Sequence, residues 1–96
     1  MVERTMPEAV KLKDPRRKRL RFRAWHRGTK ESDIILGTFA DAKLAGFSDA
    51  DLQDFETLLD VADPMIYDWV TGLQPVPAEH DSPVVQELLK FKIVVR

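Results

Sequence analysis

Ser48-Asp49-Ala50-Asp51-Leu52-Gln53-Asp54-Phe55-Glu56-Thr57-Leu58-Leu59, residues 48–59, is the stretch whose reading decides the fold. Ser48 supplies a helix cap, and Asp51, three residues on, stands in the capping-box position. Leu52, Phe55, Leu59 and Ala62 then recur at intervals of three, four and three, with Leu58 beside them. That spacing lines one face of an α-helix and no face of a strand. Phe47 precedes the cap and is placed to staple against Leu52. Asp49, Asp51 and Asp54 bring negative charge to the positive end of the helix dipole.

Toward the C-terminus, Asp63-Pro64 restarts the helical pattern, with Met65, Ile66, Trp69 and Val70 inward and Gly72 at its end. Residues 73–83 carry three of the six prolines and read as a surface connection. Ser82-Pro83 opens a last helix with Val85, Leu88 and Leu89 inward, and the β-branched Ile93-Val94-Val95 leaves the helical state. Toward the N-terminus, Thr29 or Ser32 caps a helix that runs to about Leu44. Its inward set is Ile35, Phe39 and Ala42, joined by Leu36, Ala40 and the aliphatic stem of Lys43. Gly37 costs that helix about 1 kcal/mol relative to Ala and permits close packing, and Gly46 ends it. Asp14-Pro15 starts the first helix. There Leu20, Ala24 and Arg27 share a stripe, Phe22 and Trp25 lie beside it, and Gly28 ends it in a left-handed conformation. Residues 1–13, aperiodic and containing Pro7, read as a flexible arm. The expectation is one all-α domain over residues 14–96, a small five-helix bundle with antiparallel neighbours.

The 96 residues are 44% hydrophobic and contain no apolar run of membrane-spanning length. The absence of cysteine excludes disulfides and thiolate metal sites and matches a reducing compartment. The N-terminus lacks the apolar core of a secretory signal, and Glu3 and Glu8 disfavour a mitochondrial presequence. A bacterial cytoplasm is therefore expected ahead of the mitochondrial matrix.

A formal net charge of -1 conceals a large asymmetry. Residues 1–30 hold eleven Lys/Arg against three Asp/Glu, a net +8, and residues 31–96 hold four against thirteen, a net -9. The two halves either neutralise each other within the fold or steer an encounter with a partner of matching pattern. The run Arg16-Arg17-Lys18-Arg19-Leu20-Arg21-Phe22-Arg23 carries the rival function, a small nucleic-acid-binding or antitoxin-like regulatory protein. Its cations would contact phosphates, with Phe22 and Trp25 stacking on bases. The acidic remainder repels a polyanion and favours a protein partner.

Catalytic groups are sparse. Of the two histidines, His80 lies in the proline-rich connection and reads as a solvated side chain. His26 has cationic neighbours and reads as a hydrogen-bonding group for docking rather than a base. No zinc signature or calcium loop is present, and Asp49, Asp51 and Asp54 lack the glycine and distal glutamate that such a loop needs. No glycine-rich phosphate or dinucleotide loop is present either, which argues against tight binding of a dinucleotide cofactor and against an enzyme. Trp69 falls in register with the core, whereas Trp25 serves equally well as core anchor or partner contact.

His26-Arg27-Gly28-Thr29-Lys30-Glu31-Ser32-Asp33 joins the basic helix to the acidic remainder. A glycine flanked by opposite charges lets another surface approach the backbone, with ion-pairing groups on either side. This reads as a docking corner. The segment Arg27-Gly28-Thr29-Lys30-Glu31 resembles the RGxxE motif of the SdhE family, small assembly factors for succinate dehydrogenase. The likeness extends from about Leu20 to Leu89. Asp33 follows at the family spacing, and Ile34 to Phe39 is similar to the second-helix core. Ser48 to Leu59 is similar to the capped third helix, and Asp63-Pro64 with Trp69 to the DP…W segment. The chain departs from the pattern at Trp25-His26, where many members have a basic residue, and at Thr29, where many have an apolar one.

The resemblance implies a five-helix bundle, monomeric before docking, that binds the flavoprotein subunit of succinate dehydrogenase or fumarate reductase. It implies promotion of covalent FAD attachment to a histidine of that subunit, without catalytic groups from the chaperone. Arg27, Gly28 and Glu31 are the implied functional motif, supported by Asp33. His26, Trp25 and Arg23 beside the corner complete the expected partner-binding set. Neither a metal nor a tightly held cofactor is expected.

Overall fold

Four of the five α-helices among the described residues start on a side-chain oxygen that accepts from a backbone N–H three residues on. The computed structural model describes residues 14–91. Asp14 caps α1 (Pro15–Trp25), Thr29 caps α2 (Lys30–Lys43), Ser48 caps α3 (Asp49–Leu59) and Ser82 caps α5 (Pro83–Lys90). The capping box of α3 is reciprocal: the Asp51 N–H donates to Ser48 Oγ at 3.1 Å, and the Ser48 N–H to Asp51 Oδ2 at 3.2 Å. α4 (Asp63–Thr71) follows Ala62 and has no side-chain cap. It ends at Gly72 with φ +82°, the left-handed stop that the sequence predicts. Short 3₁₀ turns occupy Leu44–Gly46 and Ala78–His80.

No strand occurs among the described residues, and the all-α, five-helix expectation holds. α1 lies along α2 and against α3, while α5 packs on α3 and α4. The core is built on Phe39 and Phe55, whose rings stand 6.0 Å apart, with Phe47 about as far from each. Phe91 presents its edge to Phe39 at 5.5 Å. Leu36, Leu44, Leu52, Leu58, Val84 and Leu88 close the interior, and Trp69 is buried there, as its register predicts.

Some inward assignments fail for geometric reasons. The buried stripe of α2 is centred on Leu36, Phe39 and Ala40, which rotates Ala42 into solvent. α3 stops at Leu59, so Val61 turns inward and Ala62 is exposed ahead of α4. Met65 sits at the edge of a face set by Ile66 and Trp69, and is exposed. Val84 joins Val85 in the core. Phe22 points outward, 61% exposed, and stacks on His26 with ring centroids 3.9 Å apart. α1 ends at Trp25 rather than running to Gly28. The reason lies in the next helix: Asp33 Oδ1 takes the Arg27 N–H at 2.5 Å, a donor that a continuing helix would send to the Arg23 carbonyl. The arm expected over residues 1–13 and the departure from helix expected at Ile93-Val94-Val95 lie outside the described residues.

Candidate functional site

The corner between α1 and α2 is four residues long, His26 to Thr29. His26 leaves the helical conformation at φ -127°, ψ 57°, while its backbone N–H still donates to the Arg23 carbonyl at 3.3 Å. Its ring Nδ1 lies 2.7 Å from the Phe22 carbonyl oxygen. A carbonyl only accepts, so Nδ1 carries a proton. Gly28 has φ +109°, a conformation that L side chains rarely adopt, and a Cβ built there would meet nothing within 4 Å. The glycine is thus required by the backbone and open on its outer side. Thr29 then starts α2, its Oγ1 accepting from the Ser32 N–H at 3.2 Å. Glu31 lies in the first turn of α2, exposed, with no hydrogen bond or ion pair to another described residue.

Arg27 behaves unlike the outward-reaching cation of the docking-corner reading. Its side chain is only 11% exposed, and the guanidinium turns into the junction between α3 and α4. Nε donates to Asp63 Oδ1 at 2.8 Å, Nη1 to the Leu59 carbonyl at 2.5 Å and Nη2 to the Val61 carbonyl at 2.9 Å. α3 ends without a glycine, and this guanidinium satisfies the Leu59 carbonyl of its last turn and the Val61 carbonyl just beyond it. Asp33 is half-buried and likewise engaged within the corner, as the acceptor for the Arg27 N–H.

Trp25 lies across Gly37. A Cβ on Gly37 would sit 2.1 Å from Trp25 Cδ2, so only glycine admits the indole here. Trp25 Nε1 donates to Asp41 Oδ1 at 3.4 Å, and Arg21 Nε reaches the same oxygen at 2.6 Å. Open clefts flank the corner, and two of them reach into α2. The larger, about 890 Å³, is lined by Trp25, His26, Gly28, Lys30, Asp33 and Ile34 among others. The smaller, about 350 Å³, lies between the start of α2 and the start of α4, with Glu31, Pro64, Tyr67 and Asp68 in its wall.

The basic helix is largely neutralised by the fold. Of the six arginines in residues 14–91, five are paired: Arg16 with Glu56, Arg17 with Asp14, Arg21 with Asp41, Arg23 with Asp60 and Arg27 with Asp63. Arg17 also donates to the carbonyls of Leu44, at 2.9 Å, and Phe47. Its hydrogen bond to Asp14 holds that carboxyl below its ordinary range. The cations that the rival reading would line up along phosphates are thus mostly shared with carboxylates of the later helices. His80 is half-buried, its ring 5.4 Å from that of Trp69, and so is less solvated than its place in the connection suggests. No described group of three or more His, Asp and Glu is arranged to hold a metal ion. No described helix is long and apolar enough to cross a membrane.

Asp63 and Tyr67 are the residues of this region that sequence reasoning left out of the site. Asp63 reads as part of a helix start and of the DP…W segment, and the Asp-Pro pair gives no sign of a distant arginine partner. Tyr67, 41% exposed on α4, fell between the inward positions of its helix.

A family model described as flavinator of succinate dehydrogenase matches residues 18–92. The FAD assembly factor SdhE of Acetobacter pasteurianus is 40% identical over 75 residues, covering 78% of this chain and 69% of that protein. Succinate dehydrogenase assembly factor 2 of Mycosarcoma maydis, named as mitochondrial, is 43% identical over 60 residues, 62% of this chain and 25% of that protein. Its counterpart in Dictyostelium discoideum is 33% identical over 70 residues, 73% of this chain and 50% of that protein. The chain thus spans about half or less of these two eukaryotic relatives.

Proposed function

Because this chain belongs to the family of succinate dehydrogenase flavinators, we propose that it docks on the flavoprotein subunit of succinate dehydrogenase, or of fumarate reductase, and promotes covalent attachment of FAD to it. It acts as a chaperone: it binds the client, and the bond forms in the client's own active site. The contact is the corner, with Gly28 and Glu31 at its centre, Trp25, His26 and Arg23 on one flank, and Arg27 and Asp33 bracing it. The observation that carries this reading is the exposed, positive-φ Gly28, open on its outer side and pinned from within by Asp33 and Arg27. A rigid corner with bare backbone at its apex lets a second backbone come close at little entropic cost. Glu31 faces solvent beside it and is available for a charge-assisted hydrogen bond worth about 1.5–3 kcal/mol once desolvated.

Docking favours the client conformation in which the flavin and its accepting histidine are held in reactive alignment. The covalent step then gains from orientation, without any group supplied by the chaperone. The test is in-gel flavin fluorescence of the flavoprotein subunit, produced with and without this chain. Covalent flavin is expected to rise several-fold with the wild-type chain and to fall back with Glu31→Ala, whose circular dichroism stays that of the wild type. Equal fluorescence with and without the chain refutes the function. A collapsed Glu31→Ala spectrum instead makes Glu31 a structural residue of the first turn of α2.

A further inference from the structure

We infer that Arg27 is a positioning residue that never touches the flavoprotein. By tying the corner to the start of α4, it makes Gly28–Glu31 and Pro64–Tyr67 one composite docking face. The inference rests on the docking function proposed above. All three guanidinium nitrogens are engaged, with the Asp63 carboxylate and two carbonyls of the α3–α4 junction. Swinging the side chain out toward a partner would leave those carbonyls and the carboxylate unpaired in a mostly buried setting, a strongly disfavoured exchange. The fork geometry is specific to arginine, since a lysine ammonium reaches Asp63 or a carbonyl but cannot hold all three.

The second strand of the argument is where these bonds lie. α2 and α4 do not pack extensively on each other, and α4 has no side-chain cap of its own. Asp63 is its first residue, held from across the junction by Arg27. The smaller cleft takes one wall from Thr29, Glu31 and Ser32 and the other from Pro64, Tyr67 and Asp68. Arg27 therefore sets the spacing between the two walls. Tyr67 offers a large exposed aromatic there, continuous with the corner. The occupant is the flavoprotein itself, through a segment bearing a cationic side chain. Glu31 and Asp68 supply negative charge at the rim that no ion pair among the described residues matches, while the charge of Asp63 is already matched by Arg27.

The test follows the Arg27 side-chain Nε–H by NMR in the wild-type chain, free and bound to the apo flavoprotein subunit. The Nε–H is expected to stay protected from exchange in both states, while the amides of Gly28, Glu31 and Tyr67 shift on binding. Magnetisation transferred from the flavoprotein onto the Arg27 guanidinium overturns the inference. Tyr67→Ala is expected to weaken binding about ten-fold with helicity unchanged. Arg27→Lys should weaken it similarly, and adding it to Tyr67→Ala should cost little more, because both act through the same wall. Fully multiplicative losses, or unchanged affinity in Tyr67→Ala, also overturn it. Gly28→Arg separates the two levels: if it binds normally, the docking reading itself fails. If it loses binding while Tyr67→Ala does not, only the composite face fails.

Discussion

At Gly28 the backbone and the surface make separate demands, and two substitutions pull them apart. Nothing within 4 Å would meet a new Cβ, so the penalty for any side chain comes from φ +109° alone. Gly28→Ala and Gly28→Arg should each cost about 1–2 kcal/mol of stability. Their thermal melts should therefore nearly coincide, while only the arginine places bulk and positive charge on the proposed docking face. Calorimetric titration with the apo flavoprotein is expected to show weakened binding for alanine and none for arginine. Equal affinity for the two would mean that the conformation, rather than the clearance, is what the partner reads. The neighbouring Arg27 shows the limit of local reading. Its place beside the glycine is plain in the sequence, but its acceptors lie 32 to 36 residues away, and no short-range pattern announces them.

Four of the five helix starts were legible because a cap is a three-residue affair. Asp14, Ser48 and Ser82 all bond where the sequence places them, and the choice left open between Thr29 and Ser32 falls to Thr29. Helix ends were less legible where they depend on remote groups. α4 stops at its own glycine as predicted, whereas α1 is cut short by the carboxylate of Asp33 in the next helix. The packing of α1 on α2 turns on Gly37. Gly37→Ala removes an unfavourable helix residue, yet its Cβ would overlap the Trp25 indole. Overpacking outweighs the propensity gain, so the variant is expected to lose about 1–3 kcal/mol. The indole Nε1–H resonance of Trp25 should shift as its bond to Asp41 breaks; a stabilised variant with an unmoved indole would contradict the close contact. The start of α1 answers to pH. Asp14 has a depressed folded-state pKa, so its contribution is fully present above the unfolded value of 3.8 and is lost as pH falls through the lower folded value. Carboxyl NMR should show Asp14 titrating below the ordinary aspartate value, and the first turn of α1 should fray only in that acidic window.

Over the whole molecule, the opposed charges of the two halves meet inside the fold. Composition showed the imbalance but could not say whether the charges face inward or outward, because that depends on which helices become neighbours. Arg16–Glu56 and Arg23–Asp60 are substantially exposed and worth under about 1 kcal/mol each, whereas Arg27–Asp63 is shielded from solvent. Raising sodium chloride from 0.05 to 1 M is therefore expected to lower the melting temperature by less than about 10 °C. A collapse of the fold in salt would show that ion pairs, rather than the phenylalanine-centred core, carry the stability. The same arrangement bears on the order of folding. Four of the five paired arginines of α1 and the corner find their carboxylates 20 to 40 positions downstream. On a translating ribosome the first helix therefore emerges as an uncompensated cation and stays solvated until the later helices arrive. The proposed docking face takes shape only once the start of α4 has emerged to meet Arg27.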